Sequence, residues 1–189
     1  MSKKVAYVTG GMGGIGTAIC QRLHKEGFTV IAGCGPTRDF NKWLDEQKAL
    51  GFTFYASVGN VGDWDSTVEA FTKAKAEHGP IDVLVNNAGI VQNAPSLAVD
   101  LADWRRVIDV NLHGVFHTSR AFGRHMVAAQ SGSVVNISSI GVLTNAPRFS
   151  AYVASKAALD AWTSCAASEF ADQGISFTTI KRIVAFITP

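Results

Sequence analysis

Thr9-Gly10-Gly11-Met12-Gly13-Gly14-Ile15-Gly16 follows directly on the apolar run Val5-Ala6-Tyr7-Val8, and this junction decides the fold. A strand that breaks into a glycine-rich turn and reopens as a helix is the first unit of a dinucleotide-binding architecture. Gly10 lets the chain turn sharply. A bare Gly14 lets backbone N–H groups approach a pyrophosphate, and Gly16 permits close packing of helix on strand. The helix that opens there adds partial positive charge toward the phosphates. Gly10, Gly11, Gly13, Gly14, Ile15 and Gly16 therefore form a candidate cofactor cradle. An ordinary tight turn between strand and helix would also use glycine. The strand before, the helix after and the βαβ frame around the turn favour the cradle.

Working outward, short β-rich runs alternate with longer helical stretches. Strands are expected at Val5–Val8, Thr29–Ala32, Phe52–Ser57, Ile81–Val85, Ser133–Ile137 and Ile175–Ile180. Helices are expected at Gly14–Glu26, Phe40–Leu50, Asp65–Glu77, Ala102–Ala129 and Ala151–Phe170. Gly33-Cys34-Gly35-Pro36 reads as a loop. Regular alternation implies parallel strands joined by crossover helices, and the apolar strands suit a sheet covered on both faces. The expectation is an α/β fold, a doubly wound parallel sheet of the Rossmann type, with residues 1–189 as a single domain.

Composition narrows the classes. Of 189 residues, 47% are hydrophobic and 17% charged, enough apolar material for a packed core and against disorder. The formal net charge is only +2 and no Lys/Arg run stands out, so neither a nucleic-acid nor a membrane-surface partner is expected. No apolar run reaches the roughly 18 residues needed to span a bilayer. The start, Met1-Ser2-Lys3-Lys4-Val5, lacks the pattern of a signal peptide. Cys20, Cys34 and Cys165 lie far apart with no CxxC, so neither disulfides nor zinc are indicated, and a cytoplasmic setting fits best. His24, His78, His113, His117 and His125 form no metal set; His113 and His117 are one turn apart but lack an HExxH-type companion. No metal is expected.

The end of the second strand usually carries an Asp or Glu that grips the ribose 2′-hydroxyl of NAD. Here it reads Val30-Ile31-Ala32-Gly33-Cys34-Gly35, with no carboxylate. Arg38 follows, and its guanidinium suits a 2′-phosphate; Lys42 is a weaker candidate. The expected cofactor is NADP(H) rather than NAD(H). The alternatives at this point are that Arg38 is a solvated loop residue and that Asp39 offsets its charge. Asn60-Val61, after the third strand, would line an adenine pocket. Asn86-Asn87-Ala88-Gly89 follows the fourth strand, where Asn87 can tie neighbouring strands and Ala88 and Gly89 leave room for a ribose and nicotinamide.

Tyr152 and Lys156 lie one helical turn apart and share a face. A phenol titrating near ~10 needs help to exchange a proton at neutral pH, and a cationic lysine beside it provides that help. Lys156 can also hold a ribose hydroxyl. Ser139 ends the fifth strand, 13 residues before Tyr152, and would hold the substrate oxygen; Ser138 is the alternate. A Tyr-x-x-x-Lys pair alone is commonly a surface feature. Together with the strand-end serine and the glycine turn it reads as a catalytic constellation for a small carbonyl or alcohol substrate.

These residues resemble the short-chain dehydrogenase/reductase family. The matching motifs are Thr9-Gly10-x-x-x-Gly14-Ile15-Gly16, Asn86-Asn87-Ala88-Gly89, Asn111 in Val110-Asn111-Leu112, Ser139 and Tyr152-x-x-x-Lys156. The resemblance implies that Asn111 distorts its helix and holds a water linking Lys156 to solvent. It also implies a homo-oligomer, dimer or tetramer, built through the two long helices, with Val107, Val110 and Val115 compatible with the interface or the sheet. The first half resembles NADPH-dependent acetoacetyl-CoA and 3-oxoacyl-ACP reductases through Ala6–Gly16, Ala32–Pro36 and Lys42-Trp43-Leu44, whereas Arg148–Lys156 looks like another branch, as in a diverged or hybrid sequence. The implied reaction is NADPH-dependent reduction of a carbonyl, with a 3-oxoacyl thioester such as acetoacetyl-CoA as the specific substrate. Two other readings are an NADP(H)-binding protein without turnover and a dehydrogenase for a different hydroxy substrate.

The pattern breaks after the sixth strand. The family carries a Pro-Gly turn, a lid, a further helix and a last strand; here the chain reads Thr179-Ile180-Lys181-Arg182-Ile183-Val184-Ala185-Phe186-Ile187-Thr188-Pro189. A chain truncated at its carboxyl end is expected, its final apolar run being an exposed strand or a mis-spliced tail.

Overall fold

A computed structural model describes residues 3–182. The apolar run Ile183–Ile187, read above as an exposed strand or tail, lies outside the described residues. Six strands form one sheet in the order β3-β2-β1-β4-β5-β6, every pairing parallel. They are β1 (Val5–Val8), β2 (Thr29–Cys34), β3 (Tyr55–Val58), β4 (Val83–Asn86), β5 (Gly132–Ser139) and β6 (Ile175–Arg182). The helices between them are α1 (Gly14–Lys25), α2 (Phe40–Ala49), α3 (Trp64–His78), α4 (Leu101–Ile108), α5 (Gly114–Ala129), the short α6 (Gly141–Thr144) and α7 (Ser150–Phe170). The sheet is doubly wound, as the alternation of elements implies. Its order reverses between β1 and β4, which opens a crevice at their carboxyl ends.

The strand side chains alternate between two apolar layers. Val5, Tyr7, Leu84 and Val134 pack with Phe71, Phe122 and Met126 of α3 and α5. Val8, Val30, Val85 and Ile137 pack with Cys20 and Trp43 of α1 and α2. Burial pushes the Cys20 thiol and the Tyr7 phenol each up to about 12, and Tyr7 meets its own need by donating to Ser57 Oγ at 2.9 Å. Helix starts follow local chemistry. Asp39 caps α2 by accepting from Lys42 N, Asp63 caps α3 from Ser66 N, and Asp100 caps α4 from Ala102 N.

Sequence expectations are revised or decided at three points. β2 continues two residues further than expected, so Gly33 and Cys34 are strand, not loop. Bare Gly33 fits there because Tyr7 lies over it; a Cβ would stand 3.1 Å from the Tyr7 ring. The stretch expected as one helix over Ala102–Ala129 contains a π-turn at Asp109–His113 between α4 and α5. Finally, Val107 and Val115 are buried and Val110 lines the central crevice. The outward large apolar residues on that stretch are Trp104 and Phe116, 39% and 44% exposed.

Candidate active site

The glycine-rich turn forms one wall of the crevice. Gly10 adopts φ +59°, a left-handed conformation that glycine takes without strain. A Cβ on Gly16 would collide with the Gly10 carbonyl, so α1 seats directly on the turn. Gly14 has open space where its Cβ would be. The α1 N-terminus carries no side-chain cap, so its first N–H groups are available to an anion. Gly11 has a different task from the one read in the sequence. It is buried against Ala32, donates its N–H to Gly33 O at 2.9 Å, and does not line the crevice.

Two hollows, of about 380 and 260 Å³, meet along Gly10, Gly33, Cys34, Gly35, Ala88 and Gly89. Together they make an elongated cleft. Gly13, Gly14, Ile15, Gly16 and Arg38 line one end, and Asn60 and Val61 line the other hollow. Arg38 holds Met12 O with Nη2 at 3.1 Å, which aims the guanidinium along the cleft wall. Asp39 is committed to capping α2. Lys42 sits with Arg38 in a separate hollow.

Thr9 and Asn87 lock the two walls together. Asn87 Nδ2 donates to the carbonyls of Thr9 and Gly10, both at 3.0 Å, and Thr9 Oγ1 accepts from the N–H of Asn87 and of Ala88, again at 3.0 Å. Asn86 faces inward to a buried network: Nδ2 donates to Asn136 Oδ1 at 2.9 Å, and its oxygen accepts from Thr118. The structural work of Thr9 was not legible beyond its place in the motif.

Gly89, Asn111 and Lys156 converge. A Cβ on Gly89 would stand 3.3 Å from Asn111 Oδ1 and 3.6 Å from Lys156 Nζ. Asn111 occupies the π-turn, fully buried. It accepts from Ile90 N at 2.8 Å and donates to Ile90 O at 2.9 Å and Ser155 Oγ at 3.1 Å. Both amide hydrogens are thereby used, and one lone pair of Oδ1 remains. Ser155 passes the contact on by donating to Tyr152 O at 2.7 Å. The sequence reading missed Ser155, although a hydroxyl between Tyr152 and Lys156 on a buried helix face was its signal.

Lys156 is 3% exposed. Its Nζ donates to Ile137 O at 2.7 Å and lies 5.9 Å from the Tyr152 ring centroid. Burial pushes its ammonium down to about 8, against the opposing pull of the Asp160 carboxylate. Tyr152 and Ser139 line one hollow of about 250 Å³, walled by Ile140, Phe149 and Val153. Ser139 Oγ accepts from Gly141 N at 3.0 Å, which leaves its hydroxyl hydrogen free to donate. Ser138, the alternate, does not line this hollow, and its buried Oγ has no partner. Gln92, also missed, supports the rim: it accepts from Tyr152 N at 3.3 Å and donates to Arg148 O at 3.0 Å. Among the described residues no group of three or more His, Cys, Asp or Glu is placed to hold a metal ion, and no helix is long and apolar enough to cross a membrane.

Comparison with known proteins agrees with this geometry. The short chain dehydrogenase family model matches residues 4–183. The chain is 49% identical over 182 residues to an acetoacetyl-CoA reductase of Cupriavidus necator, covering 96% of this chain and 74% of that one. It is 36% identical over 177 residues to a 3-oxoacyl-[acyl-carrier-protein] reductase of Thermotoga maritima, covering 94% and 72%. A gluconate 5-dehydrogenase from Burkholderia cenocepacia, solved with NADP and tartrate, superposes with a TM-score of 0.88 at 30% identity, over 97% of this chain and 72% of that one. An NAD+-bound xylitol dehydrogenase superposes with a TM-score of 0.89, also at 30% identity, over 95% and 70%.

Proposed function

The chain belongs to the short-chain dehydrogenase family and is an oxidoreductase, and from that premise we propose that it reduces a carbonyl to an alcohol with NADPH, a 3-oxoacyl thioester such as acetoacetyl-CoA being the substrate. The observation that carries the reading is one hollow shared by Ser139 and Tyr152, with the Lys156 ammonium packed against the tyrosine.

The residues present fit a dinucleotide. The uncapped α1 N-terminus and open space at Gly14 suit a pyrophosphate, and the bare Gly89 surface beside Lys156 suits a ribose. Arg38, with no carboxylate at the end of β2, suits a 2′-phosphate. When bound, the nicotinamide supplies the hydride. Ser139 donates its hydroxyl hydrogen to the substrate oxygen and steadies the charge that develops there. Tyr152 delivers the proton. Lys156, with one N–H fixed on Ile137 O, keeps others for the ribose, and its charge stabilises the tyrosine oxygen as the proton leaves. Asn111 offers its remaining Oδ1 lone pair to a water that returns a proton toward Lys156.

The substrate rests on the two reductases above, and the NADP(H) preference on Arg38. The test is loss of NADPH absorbance with acetoacetyl-CoA, run on this chain and on Tyr152→Phe. Turnover is expected in the first and a fall of about 10²-fold or more in the second. Equal rates in both, or none in either from folded protein, would overturn the reading.

We also infer a homo-oligomer. Between α5 and α7 an outward groove of about 320 Å³ presents Phe116, Trp162 and Phe177, an apolar face that a second copy would cover. A monomeric mass in sedimentation would sink this inference.

A further inference from the structure

Asp160 stands one helical turn beyond Lys156 on α7. Its Oδ2 meets Lys181 Nζ of β6 at 3.4 Å. Its Oδ1 is buried without a hydrogen-bond partner, as is Ser138 Oγ of β5, and Ser138 and Lys181 sit in register across the two strands. A buried carboxylate oxygen without a donor is costly. The one cationic residue on its own helix is Lys156, one turn earlier, a buried side chain whose hydrogen-bond partner among the described residues is the neutral Ile137 carbonyl.

Four elements line the space around Lys156 among the described residues. β5 brings the hydroxyls of Ser138 and Ser139, and β6 brings Lys181. The π-turn brings the Asn111 amide, and α4 brings the apolar Val107. The charged groups of α4 and the π-turn point outward, Arg106 pairing with Asp103 and His113 with Asp109 at the exposed surface. Asp160 is thus the carboxylate available to Lys156.

We propose that Asp160 is a positioning residue, the internal counter-charge that keeps Lys156 cationic in its buried seat beside Tyr152, with Lys181 setting how much of that charge Lys156 receives. The assignment rests on reading Lys156 as the partner of the catalytic tyrosine. Coulombic attraction within a poorly solvated helix–sheet interface is strong enough to oppose desolvation. The Lys156 ammonium is lowered by burial and raised by Asp160. Lys181 competes for the same carboxylate, so the two flanking changes act with opposite signs. Removing the Asp160 charge makes Lys156 lose its proton at lower pH. Removing the Lys181 charge makes it hold the proton to higher pH.

The test compares the wild-type chain with Asp160→Asn, Asp160→Glu and Lys181→Met by two readouts. One is the titration of Lys156 followed by NMR of protein carrying ¹³Cε-labelled lysine, its signal assigned with Lys156→Arg. The other is the pH profile of kcat/KM for carbonyl reduction. In Asp160→Asn the Lys156 titration and the alkaline limb are expected to move down by about one pH unit. Lys181→Met is expected to move both up, and Asp160→Glu to stay near wild type. Shifts of the same sign in Asp160→Asn and Lys181→Met, or no shift in the spectra, would overturn the proposal. So would a titration that moves while the rate profile stays in place. Absence of turnover in the wild type would instead overturn the reductase reading, and the spectra would still decide the counter-charge.

Discussion

Lys156 Nζ donates to the carbonyl oxygen of Ile137 across 2.7 Å, pinning the first half of α7 to the carboxyl end of β5. That single bond holds a buried cation whose ammonium is pushed down to about 8 by desolvation. A lysine that titrates lower in the fold than in the unfolded chain costs stability while both forms are protonated. The unfolded chain binds more protons between about pH 8 and its ordinary 10.5, so this contribution to stability rises with pH across that window. Lys156→Met removes the cost, up to about 3 kcal/mol, less the lost bond to Ile137 and the lost attraction to Asp160, which keeps its ion pair with Lys181. Urea melts should therefore find the variant inactive yet more stable than wild type at pH 7, with the gap closing toward pH 10. A less stable variant at pH 7 would contradict this.

Gly14 and Gly16 are two residues apart and should fail in different ways. A Cβ on Gly16 would strike the Gly10 carbonyl, whereas one on Gly14 meets only open space. Gly16→Ala should lower stability by about 1–3 kcal/mol, as overpacking does. Gly14→Ala should match or slightly exceed wild-type stability, since alanine is the better helix former by about 1 kcal/mol, while weakening dinucleotide binding. Thermal melts with and without NADPH separate the two: Gly14→Ala loses chiefly the cofactor-induced rise in Tm.

Asn86, Asn136 and Thr163 form a chain of hydrogen bonds across β4, β5 and α7, with every link at 2.9 Å. Asn86 and Asn136 are both hydrogen-bonded through oxygen and nitrogen and at most 1% exposed. Asn136→Ala leaves one N–H of the Asn86 amide without its acceptor, the other still donating to Ser119 Oγ at 3.2 Å, and removes the donor to Thr163, so a loss of about 2–4 kcal/mol is expected. A change under about 1 kcal/mol in chemical denaturation would mean that water has taken the vacated place.

The elements that proved legible were those whose signal is local and repeated. The run Ile81–Val85 marks a strand buried on both faces, found at Val83–Asn86, and the glycine turn marks the crevice. What escaped depends on contacts distant in sequence. Gly33 looks like a loop residue until Tyr7 is seen to lie over it. The π-turn at Asp109–His113 leaves no mark in the helical periodicity, because one extra residue in a turn scarcely disturbs it, and only the resemblance at Asn111 implied a distortion there. Gln92 and Ser155 carry no chemistry of their own and matter only through the loops they tie. Asp160 stood in plain view one turn from Lys156, but its buried, unpartnered oxygen and its pairing with Lys181 exist only once β6 is laid beside β5.

Arg38 is the residue on which cofactor choice should turn. Its Nη2 is held by Met12 O at 3.1 Å, inside the cleft end lined by Gly13 and Gly14, so the guanidinium reaches a 2′-phosphate without first having to be ordered. Asp39 is turned to the start of α2, where its carboxylate accepts from Lys42 N, and its charge offsets only part of the Arg38 field. A charge-assisted hydrogen bond to phosphate contributes about 1.5–3 kcal/mol, which corresponds to roughly 10- to 150-fold in binding. Arg38→Gln should therefore lower kcat/KM for NADPH by about that factor while changing the value for NADH by less than about threefold. The near-constant NADH value is the control that the fold and the Ser139–Tyr152 hollow are intact. Equal losses for both cofactors would show that Arg38 supports the glycine turn through Met12 and does not read the phosphate.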